Sequence, residues 1–133
     1  MMKTAHDQNG FSLLEMVAVL TIIAILAAIA LPNYQRSVQK ARESVLKENL
    51  YWIRDAIDQF FLDQSRYPQT LQELVEKKYL REIPKDPITE RKDWMPIREE
   101  FDEFEDPDFE PGIWNIRSRS TKRSTEGTRY RSW

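Results

Sequence analysis

Apolar side chains are distributed along this chain in two different ways. From Phe11 to Leu31 they are almost unbroken, and Glu15 is the one charged residue among them. At 1.5 Å per residue a helix of about 20 residues is roughly 30 Å long, about the hydrocarbon thickness of a bilayer, so the pattern predicts a membrane-spanning helix over 11–31. Ala24, Ala27, Ala28 and Ala30 would let neighbouring helices approach closely. After Pro32 the pattern changes to apolar positions three and four apart: Val38, Val45, Leu46, Leu50, Ile53, Ile57, Phe60 and Phe61. Lys40, Arg42, Glu43, Lys47, Arg54, Asp55 and Asp58 occupy much of the remainder. This is the signature of an amphipathic helix with one buried stripe, predicted over 32–65. Pro32 removes one hydrogen bond and bends the helix. Residues 11–64 are then nearly continuous helix, on the order of 80 Å long, and Tyr67-Pro68 requires it to stop.

The remainder is shorter in every element. Thr70-Leu71-Gln72-Glu73 reads as a capping box, with Thr70 as the cap and Glu73 reaching back, opening a short helix over 70–78 with Leu71, Leu74 and Val75 inward. Tyr79 to Pro87 carries two X-Pro steps and is extended and turn-like. Strands are predicted at about 94–98 and 112–118, with Trp94, Trp114 and Trp133 as core anchors. The fold class is therefore α+β: a long N-terminal helix, half membrane and half amphipathic, packed on a short helix and a small antiparallel sheet.

Composition narrows the chemistry. With 133 residues, one membrane helix and one small domain is the natural count. A net charge of −2 argues against a polyanion binder, and the chain has no cysteine for a disulfide framework or thiolate metal site. The single histidine, His6, precedes the apolar run, and Gly10, Gly112 and Gly127 form no phosphate loop. No nucleophile with its base emerges, which counts against an anchored enzyme or binding module; a carboxylate pair within 99–110 is unspecific. That stretch holds Glu99, Glu100, Asp102, Glu103, Glu105, Asp106, Asp108 and Glu110, interrupted by Phe101, Phe104 and Phe109. From Ile113 onward the balance reverses, with Arg117, Arg119, Lys122, Arg123, Arg129 and Arg131 against Glu126. Two solvated loops are one reading. The other is that the basic tail pairs with the acidic stretch, within a subunit or between neighbours. Nucleic-acid binding by the tail fits poorly with the overall negative charge.

The order of features at the N-terminus is unusual. A secretory signal places its small-residue cleavage site after the apolar region; here Gly10 comes before it. The string Gly10-Phe11-Ser12-Leu13-Leu14-Glu15 resembles the type IV prepilin signal of pilins and type II secretion pseudopilins. The resemblance implies a leader, 1–10, that an inner-membrane aspartyl peptidase removes by cutting after Gly10, with methylation of the new amine on Phe11. It also implies a filament-core helix over 11–31, a periplasmic pilin-like domain over 32–133, and a kinked or locally melted helix at Pro32 in the filament. An ammonium and a carboxylate are each costly in lipid, and both costs fall when they meet. By resemblance, Glu15 of an incoming subunit pairs with the Phe11 amine of a neighbour and sets the register.

A second block, Tyr67-Pro68 through Leu71, Leu74, Tyr79-Leu80 and Ile83-Pro84 to Asp86-Pro87, resembles G-type major pseudopilins of type II secretion. That resemblance implies a non-enzymatic structural subunit, inserted in the inner membrane with the leader cytoplasmic. It polymerises into a periplasmic pseudopilus that pushes folded proteins through the outer membrane. The implied partners are further copies of the chain, minor pseudopilins, the prepilin peptidase and methyltransferase, an inner-membrane platform with its ATPase, the secretin and membrane lipid, and no nucleic acid. A type IV or competence pilin, for adhesion, motility or DNA uptake, is the alternative; the missing cysteines and the Leu80–Pro87 block argue against it. Arg36, Lys40 and Arg42 run against the implied orientation, since positive residues favour the cytoplasmic side; the prepilin signal takes precedence. G-type pseudopilins bind calcium through aspartates and carbonyls of the C-terminal loop. The corresponding stretch here, Arg117-Ser118-Arg119-Ser120-Thr121-Lys122-Arg123, offers bases where acids are needed, so no cofactor is expected.

Overall fold

A computed structural model of the chain describes residues 10–100, 104 and 106–133. Most of the leader, with His6, and Phe101, Asp102, Glu103 and Glu105 of the acidic stretch lie outside the described residues. In chain order the elements are helix α1 (Leu13–Gln64), helix α2 (Leu71–Glu76), strands β1 (Met95–Arg98) and β2 (Ile113–Arg117), and a 3-10 turn at Tyr130–Ser132. This is the expected α+β, pilin-like arrangement. The chain divides into two compact units, Met1–Ser37 and Val38–Trp133, and α1 contributes to both.

In the first unit the helix is apolar all round, and Leu14, Leu20, Ile23, Leu26 and Ile29 are all exposed. Such a helix has no polar face to turn to water and is long and apolar enough to cross a membrane. Its one hydroxyl in mid-run is satisfied internally, Thr21 Oγ1 donating to the Val17 carbonyl at 2.7 Å. The helix continues through Pro32.

The second unit has a core. Leu46, Leu50, Ile53, Ala56, Ile57 and Phe60 of α1 are buried with Leu74, Trp94, Ile113, Ile116 and Tyr130. Their spacing of three and four is the predicted stripe, with three differences. Val45 and Phe61 are 45% and 40% exposed, whereas Glu43, read from sequence as a solvated charge, is 7% exposed. Counting back from Leu50 and Leu46 by the same steps reaches Glu43, so the carboxylate lies on the buried face. The ring of Phe61 is not bare: it stacks on Tyr67 with centroids 4.4 Å apart.

Helix α2 is capped as expected, Thr70 Oγ1 accepting from Glu73 N–H. Glu73 reaches one residue further back than a capping box requires, accepting from Gln69 N–H at 2.8 Å and pairing with Arg66. The helix ends at Glu76, two residues before the predicted limit. Lys78 turns left-handed (φ 66°), and the Lys78 and Tyr79 N–H groups close on the Val75 and Leu74 carbonyls.

Strands β1 and β2 pair antiparallel in the register Met95↔Arg117, Pro96↔Ile116, Ile97↔Asn115, with the next pair Arg98↔Ile113. Trp114 is thus the extra residue of a bulge. A regular strand cannot bury both Ile113 and Ile116, three apart; the bulge permits it and turns Trp114 outward. Trp114 is 46% exposed, against the expectation of a core anchor, while Trp94 is buried and Trp133 packs on the core edge. Trp94 donates its indole N–H to the Pro84 carbonyl at 2.8 Å.

Gly112 enters β2 against Tyr67. A Cβ there would lie 2.5 Å from Tyr67 Cβ and 2.8 Å from its carbonyl oxygen, and neither is the movable end of a side chain. Gly112→Ala is expected to cost about 1–3 kcal/mol by overpacking and to lower the thermal midpoint by roughly 4–8 °C per kcal/mol, read by circular dichroism of the full chain in detergent. An unchanged midpoint would show that the Tyr67 backbone yields freely.

Candidate functional site

The residues singled out at the N-terminus lie within the first unit. Gly10 is exposed with open space around its Cα, and Phe11 is exposed beside it. Ser12 caps α1: its Oγ accepts from Glu15 N–H at 3.2 Å, and its carbonyl accepts from Met16 N–H at 3.1 Å. Glu15 therefore stands in the first turn of α1, where the aligned peptide dipoles present partial positive charge and a carboxylate is favoured. Its side chain is exposed one turn from Phe11. Pro32, exposed inside α1, has no N–H to offer the Ala28 carbonyl.

A second constellation, in the second unit, was not anticipated. The chain after β2 folds back on α1 and is held there by side chains. Glu43 Oε1 accepts from Thr125 N–H at 2.7 Å and from the Tyr130 hydroxyl at 2.8 Å, and Oε2 accepts from the Thr125 hydroxyl at 2.8 Å. Gln39, one turn earlier, donates to Tyr130 Oη and to the Arg123 carbonyl. Arg54 forks to Asn115 Oδ1 and to the carbonyls of Ile116 and Trp133 at 2.8–3.0 Å. Where the segment begins, Ser118 Oγ donates to the buried Asp86 carboxylate, whose other oxygen accepts from the N–H groups of Ile88 and Thr89. Within the loop, Ser124 and Thr128 exchange backbone and hydroxyl contacts around a turn that needs Gly127 at φ 85°. Burial pushes the Glu43 carboxyl up, but the Thr125 N–H and hydroxyl, the Tyr130 hydroxyl and the nearby Lys47 charge together outweigh it, and the net position is below the ordinary carboxylate value. The Tyr130 hydroxyl is raised, first by burial.

The pairing of basic tail with acidic stretch suggested by sequence is not made within the chain among the described residues; Phe101, Asp102, Glu103 and Glu105 lie outside them. Among the described residues the ion pairs are Arg66–Glu73 and Lys92–Glu82. Arg119 donates instead to the Asp93 carbonyl and Arg123 to that of Gly127. Glu99 accepts from Gly112 N–H, within its own strand connection. Calcium takes six to eight oxygens at 2.3–2.6 Å. Both oxygens of Glu43 and of Asp86 already accept from N–H or O–H groups, and Arg117, Arg119, Lys122 and Arg123 bring positive charge to the loop. No three His, Asp or Glu side chains converge as a metal site among the described residues.

Glu43 was the member of this constellation with a signal in the sequence, its place on the buried face. Asp86, Ser118, Thr125 and Tyr130 had none, being distant in sequence from what they touch.

Known proteins resemble both parts of the chain. Residues 5–31 match the prokaryotic N-terminal methylation motif. Over 96 aligned residues the chain is 35% identical to type II secretion system core protein G of Klebsiella pneumoniae, an alignment covering 60% of this chain and 69% of the relative. It is 34% identical over 101 residues to the protein of the same name from Vibrio cholerae, covering 65% and 69% of the two chains. With that of Escherichia coli K12 the identity is 30% over 102 residues, covering 65% and 70%. No solved structure gives a match.

The depressed Glu43 carboxyl makes an acid-side prediction. A group whose folded value lies below its unfolded one, about 4.3 for Glu, stabilises fully above that pH and ceases to do so as pH falls through the folded value. The full chain and a Glu43→Gln variant, melted side by side from neutral pH downward, should show a midpoint gap that shrinks below about pH 4.3. A gap independent of pH would remove the charge of Glu43 from the account.

Proposed function

The chain belongs to the type II secretion system core protein G family, structural subunits of the pseudopilus, and we propose that it polymerises through its N-terminal helix to push folded proteins across the outer membrane. The observation that carries this reading is where the likeness lies. Identity to core protein G runs over about a hundred aligned residues, well past the methylation motif at 5–31 that pilins and pseudopilins have in common. The relatives' shared name favours the secretion machine over a pilin for adhesion, motility or DNA uptake.

The mechanism needs no chemistry from the chain itself. In this proposal a peptidase cuts after Gly10 and a methyl group is added to the amine of Phe11; the open surroundings of Gly10 suit access by an enzyme. The apolar run holds the subunit in the inner membrane, leader inside and domain in the periplasm. A helix apolar on every face cannot leave lipid alone, because the transfer of all that surface to water is prohibitive. It can leave by exchanging lipid contacts for equivalent contacts with other copies of itself. Glu15 then meets the Phe11 amine of a neighbour, and burial of each charge is offset by the other. At Pro32 the Ala28 carbonyl has no helical donor, so this is the point where the helix yields most readily during extraction. Minor pseudopilins, the platform with its ATPase and the secretin are the partners this cycle requires.

Two measurements test the proposal. The N-terminal peptide from membranes of the native host should have the mass of a chain beginning at methylated Phe11; an intact Met1 would end the processing scheme. Glu15→Leu should still be cleaved and stay in the membrane, yet yield at least about tenfold less filament, because the partner amine is left unpaired in an apolar environment. Normal filament yield would dismiss Glu15 as the register residue.

A further inference from the structure

We propose that the C-terminal loop, residues 118–130, is fastened by the Glu43 and Asp86 carboxylates in the role that a bound divalent cation would otherwise fill. The inference is independent of the filament reading: a chain that fails to polymerise would still carry the fastening, and the reverse.

A loop with little apolar content needs polar anchors to stay ordered, since fixing each backbone residue costs about 1–2 kcal/mol of conformational entropy. A cation supplies such anchoring by collecting oxygens from the loop. A carboxylate supplies it by the opposite polarity, collecting N–H and O–H groups. The structure has the second kind of anchor at both ends of the loop. At its start, buried Ser118 donates to buried Asp86. Further along, Thr125 gives Glu43 both its N–H and its hydroxyl, and buried Tyr130 gives its own hydroxyl. Among the described side chains no buried polar atom is left without a partner. A cation at Glu43 or Asp86 would compete with these donors for the carboxylate oxygens, and each donor it displaced would be buried unpaired, at a penalty comparable to the hydrogen bond lost.

The composition of the loop agrees with this polarity. Arg119, Lys122 and Arg123 repel a divalent cation and suit a loop whose anchors are anions. The anchors also come from outside the loop, one from α1 and one from the turn at 86–89. The fastening therefore ties the loop to the core helix, whereas a metal ligated by loop residues alone would tie the loop to itself.

The test uses the purified full chain in detergent, with calcium chloride or with a chelator. Hydrogen exchange of peptides containing Thr125 and the thermal midpoint should be the same in both. Glu43→Leu, which continues the apolar face of α1, should speed exchange at Thr125 by about tenfold or more, the loss expected for hydrogen bonds to a charged group. Glu43→Gln, which retains an acceptor oxygen, should restore most of the protection. Should Glu43→Leu not fold, Thr125→Ala removes one donor alone and should loosen exchange across 118–130 with the rest of the domain unchanged. Calcium that raises the midpoint or slows exchange at Thr125 in the unmodified chain would overturn the proposal. So would a folded Glu43→Leu chain whose loop exchanges at the original rate.

Discussion

One carboxylate on the buried face of α1 governs the second unit of this molecule. Glu43 occupies a place where the helical repeat asks for an aliphatic side chain, and a lone charge there would be strongly unfavourable. It persists because three donors reach it from residues more than eighty positions later, Thr125 N–H, the Thr125 hydroxyl and the Tyr130 hydroxyl. The interaction is mutual: the carboxylate requires the loop, and the loop requires the carboxylate. Around it, Gln39, Lys47 and Arg54 extend the same theme, each presenting a polar end to the returning chain while Leu46, Leu50 and Ile53 fill the core. One helix thus supplies both the apolar bed and the polar clasps.

The first unit follows a different economy. It has nothing of its own to cover its side chains, and apart from Thr21 its polar side chains gather at the ends of the apolar run: Ser12 and Glu15 in the first turn, Asn33 after Pro32 at its close. The Ser12–Glu15 pairing is a second reason for these residue types beside the one the prepilin signal gives. A cap satisfies N–H groups that lipid would leave bare.

Elements whose cause is local were legible in the sequence. The apolar run, the stripe at three and four, the Thr70 cap and the stop before Pro68 all follow from neighbours within a few positions. The β pairing was legible in outline, but the bulge that exposes Trp114 was not, because it depends on which residues Ile113 and Ile116 must both reach. The role of Glu43 was hidden by a rule of thumb, that a charge between apolar positions faces water, although its position on the stripe spoke against it. The loop contacts were out of reach altogether: nothing near Thr125 or Tyr130 points to a residue more than eighty positions earlier. The basic tail and acidic stretch invited a pairing by charge, whereas Arg119 and Arg123 found backbone carbonyls.

That separation has a bearing on how the domain forms. Contacts between residues close in sequence, such as those of α1 and α2, can assemble early and quickly. Closing a loop that joins Glu43 to Thr125, 82 positions apart, or Gln39 to Tyr130, 91 apart, carries the largest entropic cost in the chain and belongs among the slowest steps. The later stretch of the chain is the one that seals the earlier helix. Until it arrives, Glu43 stays hydrated and the core lies open along one side. The second unit therefore has a built-in delay between forming its helices and closing its core.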